Sequence, residues 1–72
     1  METPETRPEG YPEPILKFFA FAHLPQKLAE VSQPYGELAQ RLVDTLPRSA
    51  ERTVALRKLL ESKDAAVRAA LP

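Results

Sequence analysis

The sequence predicts an all-α fold, in which an antiparallel two-helix hairpin follows a short N-terminal segment and assembles as a homo-oligomer. Apolar residues recur every three or four positions over two stretches of similar length, and a short Pro-Arg-Ser turn separates them. A chain of 72 residues buries so little of its surface on folding that it is only marginally stable as a monomer. It has no Cys and one His, so we expect contacts between copies of the chain, rather than disulfides or a metal, to supply the remaining stability.

Residues 1–14 are predicted to form a disordered tail, separate from a hairpin domain over residues 15–72. The tail holds four of the eight prolines and four glutamates, with little apolar surface to bury. Tyr11 is the exception, an aromatic residue in a polar segment. It is interpreted either as a solvated loop residue or as a cover over a ligand or a partner surface.

Residues 15–22 are strongly apolar but too few for their pattern to distinguish a strand from a helix. Three of the five aromatic residues of the chain lie here, namely Phe18, Phe19 and Phe21. Two interpretations remain open for them. They pack across the hairpin or against a neighbouring subunit, or they form a stacking platform for a flat ligand.

The first helix is predicted to begin at His23-Leu24-Pro25, because proline suits the first helical position. Pro34 and Gly36 interrupt it, but the apolar pattern keeps its phase across them, which favours one kinked helix over two. The predicted apolar stripe comprises Leu28, Val31, Tyr35, Leu38, Leu42 and Leu46.

The second helix is predicted to follow the turn at residues 47–49 and to end near Ala70. Ser49 is a suitable N-cap, and Glu51 lies in the first turn, where a carboxylate is favourable. The following residues are mostly good helix formers. The predicted stripe comprises Leu56, Leu59 or Leu60, Lys63, Val67, and Ala70 or Leu71.

Composition argues against several classes of function. Ten basic and ten acidic side chains give a net charge of zero, so neither a nucleic-acid polymer nor an anionic membrane is an expected partner. The longest uncharged apolar run, residues 18–22, is far shorter than the roughly 20 residues of a membrane span. No signal-peptide pattern is visible, and we expect a cytoplasmic protein. With no glycine-rich phosphate loop, no Cys and one His, neither catalysis nor a cofactor is expected.

Two cations stand out on the second helix. Lys63 interrupts the apolar stripe, so either its stem packs while the ammonium reaches the rim, or the ammonium meets an anion. Asp64 is not expected to pair with it, because adjacent helical side chains point in different directions. Arg68 either forms an exposed pair with Asp64 or offers its guanidinium to a phosphate.

Other polar residues have less distinctive positions. Arg52, Arg57 and Lys58 are interpreted as a solvent-facing group. Thr53 is placed to cap the helix, to bond back to it or to contact a ligand. His23 precedes the first helix and is either a structural hydrogen-bonding residue or a ligand contact.

The second helix, residues 51–69, resembles the C-terminal hairpin helix of phage-encoded cyclic-nucleotide sponges, the anti-CBASS and anti-Thoeris proteins. The residues that carry this resemblance are Thr53, followed by alternating apolar and basic positions, then Leu59, Glu61, Arg68 and Ala69. The stretch His23-Leu-Pro-x-Lys27-Leu resembles the start of the other hairpin helix in that family.

The resemblance implies symmetric homo-oligomers, from dimers to hexamers, that bind cyclic nucleotides between subunits without cleaving them. Such a protein would deprive a bacterial defence effector of its signal in the host cytoplasm. By this resemblance, Arg68 would contact a phosphate of the ligand, and Thr53 would be a second ligand contact. In that family, an aromatic residue upstream of the first helix stacks on the base of the ligand, and the candidates for it in this sequence are Phe19, Phe21 and Tyr11. The alternatives are a small helical oligomeric module that binds a host protein, and a structural oligomer.

Overall fold

The computed structural model describes residues 13–72 and confirms the predicted helical hairpin. A 3₁₀ helix, Pro14–Phe19, precedes two α-helices, α1 over Gln26–Thr45 and α2 over Ala50–Ala70. The described residues contain no strand. The apolar segment of undecided type therefore begins as a 3₁₀ helix. Pro25 occupies the N-cap of α1, one position before the first helical residue at which the sequence placed it.

The ends and the continuity of the two helices follow from local signals. α1 runs without interruption through Pro34, as predicted. At the start of α2, the Ser49 hydroxyl oxygen accepts a hydrogen bond from the Arg52 backbone N–H at 3.0 Å, which confirms the predicted N-cap. Over the part of the chain that the structure describes, neither helix combines the length and the apolar character that crossing a bilayer requires.

The helices are antiparallel and meet in a small core. The Arg52 side chain of α2 reaches the Val43 carbonyl near the end of α1, and the Ser62 hydroxyl lies 3.4 Å from the Tyr35 hydroxyl in the middle of α1. At the centre, Ala39 and Leu56 are fully buried and Phe19 is 3% exposed. Partly buried side chains surround this core, namely Ile15, Leu16, Tyr35, Leu42, Val43, Leu59 and Leu60.

The buried face of α1 differs from the predicted apolar stripe. Leu38 and Leu46 were expected to face the core and are exposed, whereas Ala39, the neighbour of Leu38, is fully buried, as is Ser32. The reason is the third element, because the segment before α1 packs against this helix as well. A Cβ on Gly36 would meet the Phe19 carbonyl oxygen at 3.1 Å. Small residues on this face of α1 therefore let the backbone of the segment before α1 approach the helix closely.

Arg52 is not solvent-facing, as the sequence suggested, but 7% exposed. Its guanidinium donates hydrogen bonds to the carbonyls of Val43 at 3.2 Å and Leu46 at 2.9 Å, and to the Glu13 carboxylate at 2.6 Å. Helix-terminal carbonyls lack partners within the helix, and residue 47, whose N–H would otherwise bond Val43, is a proline. Arg52 thus caps α1 from α2 and ties the N-terminal segment to both helices.

Because of this ion pair, Glu13, which the sequence assigned to the tail, belongs to the folded part of the chain. Residues 1–12, including Tyr11, lie outside the described residues.

Replacing Arg52 tests this interaction. Arg52→Met keeps most of the apolar stem but removes every hydrogen bond of the guanidinium, leaving a carboxylate and two carbonyls short of a partner. We expect the free energy of unfolding to fall by about 2–4 kcal/mol, measured by urea denaturation. The exposed Arg57→Met is the matched control and should stay within about 0.5 kcal/mol of wild type. Equal urea midpoints for the two variants would contradict this role.

Truncation separates the tail from the ion pair. Removing residues 1–10 is expected to leave the melting temperature unchanged, since this stretch offers little apolar surface to bury. Removing residues 1–14 also removes Glu13 and is expected to lower the melting temperature by several degrees. In a domain of this size, a loss of about 1 kcal/mol in the free energy of unfolding corresponds to roughly 4–8 °C. Calorimetry measures both. A loss of several degrees from the shorter deletion would show that residues 1–10 pack on the hairpin.

Candidate functional site

An open cleft of about 380 Å³ lies at the end of the hairpin where α1 begins and α2 ends. The segment before α1 forms one wall, and the last two turns of α2 form the other. The cleft is lined by Lys17, Phe18, Ala20, His23, Leu24, Lys63, Asp64, Val67 and Arg68. Its volume lies at the low end of the range of about 300–1,000 Å³ that is usual for ligand sites.

Two turns shape the wall that precedes α1. The 3₁₀ helix ends at Phe19, and a second turn is closed by the Leu24 N–H donating to the Phe21 carbonyl at 3.0 Å. Phe19 points into the core, which leaves the adjacent Phe18 55% exposed at the cleft. The Lys17 ammonium lies 5.2 Å from the centroid of the Phe18 ring, a cation–π contact. This wall therefore presents an apolar ring beside a positive charge.

The opposite wall contains an ion pair between a nearly buried lysine and a half-exposed aspartate. Lys63 is 9% exposed, and its ammonium lies 3.2 Å from the Asp64 carboxylate. The expectation that these neighbours would not pair is wrong, because the long Lys63 side chain allows its ammonium to reach the carboxylate of the adjacent residue. Of the two interpretations of Lys63, the packed stem is confirmed, and its charge meets an anion supplied by the same helix.

Within residues 13–72, Arg68 has no carboxylate partner. It lies one turn after Asp64 and is exposed, but that carboxylate pairs with Lys63 instead. Among residues 13–72, no ion pair involves Arg68. Its guanidinium is therefore accessible at the cleft.

The cleft is cationic on balance. Among the lining residues that the structure describes, Lys17, Lys63 and Arg68 contribute three positive charges and Asp64 one negative charge, so these side chains sum to +2 without His23. The positive end of the α1 dipole and the negative end of the α2 dipole meet here, and their half-charges oppose each other. The side chains therefore set the sign of the local potential, which favours an anion.

The other two aromatic candidates of the described segment lie away from the cleft wall. Phe19 belongs to the core, in agreement with the packing interpretation, and Phe21 is half-buried with its ring 3.4 Å from the site of a Gly36 Cβ. Phe18, which the sequence offered with Phe19 and Phe21 as part of a stacking platform but the family resemblance did not, is the exposed ring of this segment, and Lys17 lies beside it. The phase of a short 3₁₀ helix cannot be read from an unbroken apolar run, so no sequence signal separated Phe18 from Phe19.

Thr53 lies near the opposite end of α2. Its hydroxyl donates to the Ser49 carbonyl at 3.2 Å, which is the bond back to the helix that the sequence allowed. The separation of fifteen residues from Arg68 corresponds to about 22 Å along a helix. Thr53 and Arg68 of one chain therefore do not share a small site, whereas His23, Lys63 and Arg68 do.

Among residues 13–72, no group of three His, Cys, Asp or Glu side chains is arranged to hold a metal ion. No known family model, curated protein or solved structure matches the chain. What the residues define is a two-helix hairpin with a cationic, partly aromatic cleft. Such a cleft is suited to reversible binding of a small anion that has a flat apolar part.

Proposed function

We propose that this protein is a non-catalytic nucleotide-binding protein that sequesters cyclic nucleotide signals of bacterial anti-phage defence. The observation that carries the proposal is the accessible Arg68 guanidinium beside Lys63, Lys17 and an exposed aromatic ring in one cleft. A guanidinium pairs with phosphate oxygens in a fork geometry, and an exposed ring offers a surface for a base or sugar. Together they match the two chemical parts of a nucleotide.

Two further features support a cyclic ligand shared between subunits. The second helix carries the residues that resemble cyclic-nucleotide sponges, including Arg68 and Thr53. The cleft of about 380 Å³ is open and small, so one chain holds only part of a dinucleotide. In a symmetric oligomer, a second copy would present the same cations to a second phosphate. Thr53 would then reach ligand only from a different subunit.

Oligomerisation is part of the same proposal. Among the described residues 13–72, five large apolar residues are exposed, namely Phe18, Leu38, Leu46, Val54 and Leu71. Covering them would add the burial that a chain of this length lacks. We expect light scattering at micromolar concentration to give a dimer or a larger species up to a hexamer. A stable, well-folded 8.1 kDa monomer would contradict this expectation.

A small interaction module that binds a host protein is the second candidate. It is favoured by the exposed side chains of Leu38, Leu46 and Val54, which do not line the cleft. An amphipathic partner helix recognises such a surface through apolar anchors. In that case substitutions in the cleft would leave partner binding unchanged, whereas Leu38→Ser and Val54→Ser would abolish it.

The decisive variants for the nucleotide proposal are at Arg68. Arg68→Ala is expected to weaken nucleotide binding by about 10- to 100-fold, since a charged hydrogen-bonding group contributes about 1.5–3 kcal/mol. Arg68→Lys should restore only part of the loss, because an ammonium lacks the fork geometry. Both variants should keep the fold, because the side chain is exposed and alanine and lysine are good helix formers.

Arg57→Ala is the matched control, an exposed arginine on the same helix that does not line the cleft. Calorimetry with a panel of cyclic dinucleotides, cyclic trinucleotides and cyclic ADP-ribose isomers measures the effect. If the wild type binds none of them, the sequestering function is wrong. Wild-type affinity in Arg68→Ala would instead place the phosphate site elsewhere.

A further inference from the structure

Asp64 places a negative charge inside a cleft that otherwise attracts anions. Lys63 is almost fully buried, and a buried ammonium needs a partner. Asp64 supplies that partner at 3.2 Å while its own side chain remains about half exposed at 48%. The carboxylate thus pairs with the most buried of the three cations that line the cleft, and it lines the same cleft as Arg68.

We propose that Asp64 acts as a charge filter, which favours singly charged phosphodiesters over doubly charged terminal phosphates. The inference rests on the proposed function, namely that the cleft holds a nucleotide phosphate. A phosphodiester carries one negative charge at neutral pH, whereas a terminal phosphate, with a second pKa near 6, carries nearly two. The two ligand classes therefore differ in how strongly a fixed carboxylate repels them.

The spacing on α2 places the Asp64 carboxylate on the same wall of the cleft as Arg68. Asp64 and Arg68 are four residues apart, and such positions have Cβ atoms about 5–6 Å from each other. For a phosphate that Arg68 holds about 5 Å from the carboxylate, in surroundings intermediate between water and protein interior, one additional pair of like charges changes the binding equilibrium by roughly tenfold. Without Asp64, the cleft would present three uncompensated cations and would favour the doubly charged ligand.

The consequence is selectivity for ring-closed ligands. A cyclic nucleotide contains only phosphodiesters, whereas mononucleotides and linear oligonucleotides of the cell commonly end in a terminal phosphate. Specificity is a difference between two affinities, and a repulsive group raises it by weakening the unwanted ligand. Asp64 thereby keeps the cleft available for the cyclic ligand.

Asp64→Asn tests the filter with a cyclic dinucleotide and its linear 5′-phosphorylated, ring-opened form. Asparagine retains an oxygen that accepts a hydrogen bond from Lys63 but carries no charge, and thermal melting checks that the variant is folded. By calorimetry, the linear ligand should gain roughly tenfold more affinity than the cyclic one. Glu61→Gln removes the same charge from an exposed carboxylate that pairs with Lys58 at 3.8 Å, and should keep the wild-type ratio.

Two results would overturn the filter. An unchanged ratio of the two affinities in Asp64→Asn would show that the carboxylate does not discriminate. A loss of affinity for the cyclic ligand would show that Asp64 accepts a hydrogen bond from it instead.

If the wild type binds neither dinucleotide, the proposed function fails, and the filter is judged with simple phosphates. Methyl phosphate, doubly charged at pH 8, and dimethyl phosphate, singly charged, are titrated while the amide NMR signals of residues 63–68 are followed. Relative to wild type, Asp64→Asn should gain roughly tenfold more affinity for methyl phosphate than for dimethyl phosphate. Equal gains, or no binding of either phosphate to either protein, would overturn the filter as well.

Discussion

The buried guanidinium of Arg52 is the interaction on which the arrangement of the chain depends. It joins the end of α1, the start of α2 and the N-terminal segment through two carbonyls and the Glu13 carboxylate. An isolated buried charge is costly, so the arginine stabilises only a conformation that provides all of these acceptors together. The turn after α1 and the path of the segment before it are therefore fixed jointly.

From that anchor, the N-terminal segment runs along the hairpin toward its open end. Phe19 enters the core beside Ala39 and Leu56, and Gly36 admits the backbone of the segment at close range. Once Phe19 is inside, Phe18 and Lys17 lie on the exposed side of the 3₁₀ helix, opposite the last two turns of α2. The cleft thus exists because a third element is packed against the two helices.

The sequence predicted the parts of this structure that depend on local signals. Helix type, the Ser49 cap and continuity through Pro34 follow from periodicity and from residues close in sequence. The buried face of α1 was misplaced by one position, because hairpin periodicity alone does not include a third element that needs small residues. Arg52 was missed for a related reason, since its anionic partner lies 39 residues away.

The cleft was predictable only in part. Lys63, Arg68 and His23 were candidates from their positions, and the structure brings them together. The pairing of Lys63 with Asp64 depends on how far a long side chain bends, and the exposure of Phe18 depends on the phase of a 3₁₀ helix. Neither is encoded in helical spacing. Both features determine the chemistry of the cleft. Because Asp64 pairs with Lys63, Arg68 has no carboxylate partner among residues 13–72, and because Phe18 is exposed, the cleft has an aromatic ring.

We propose that an anionic nucleotide binds at the open end of the hairpin, against Arg68 and the segment that Arg52 holds in place. An NMR titration of the ¹⁵N-labelled protein with a cyclic dinucleotide measures this binding residue by residue. We expect saturable shifts of amide signals at residues 17–24 and 63–68, together with the side-chain signal of Arg68. Shifts confined to the turn end, around residues 46–54, or no saturable shifts with any cyclic nucleotide, would contradict it.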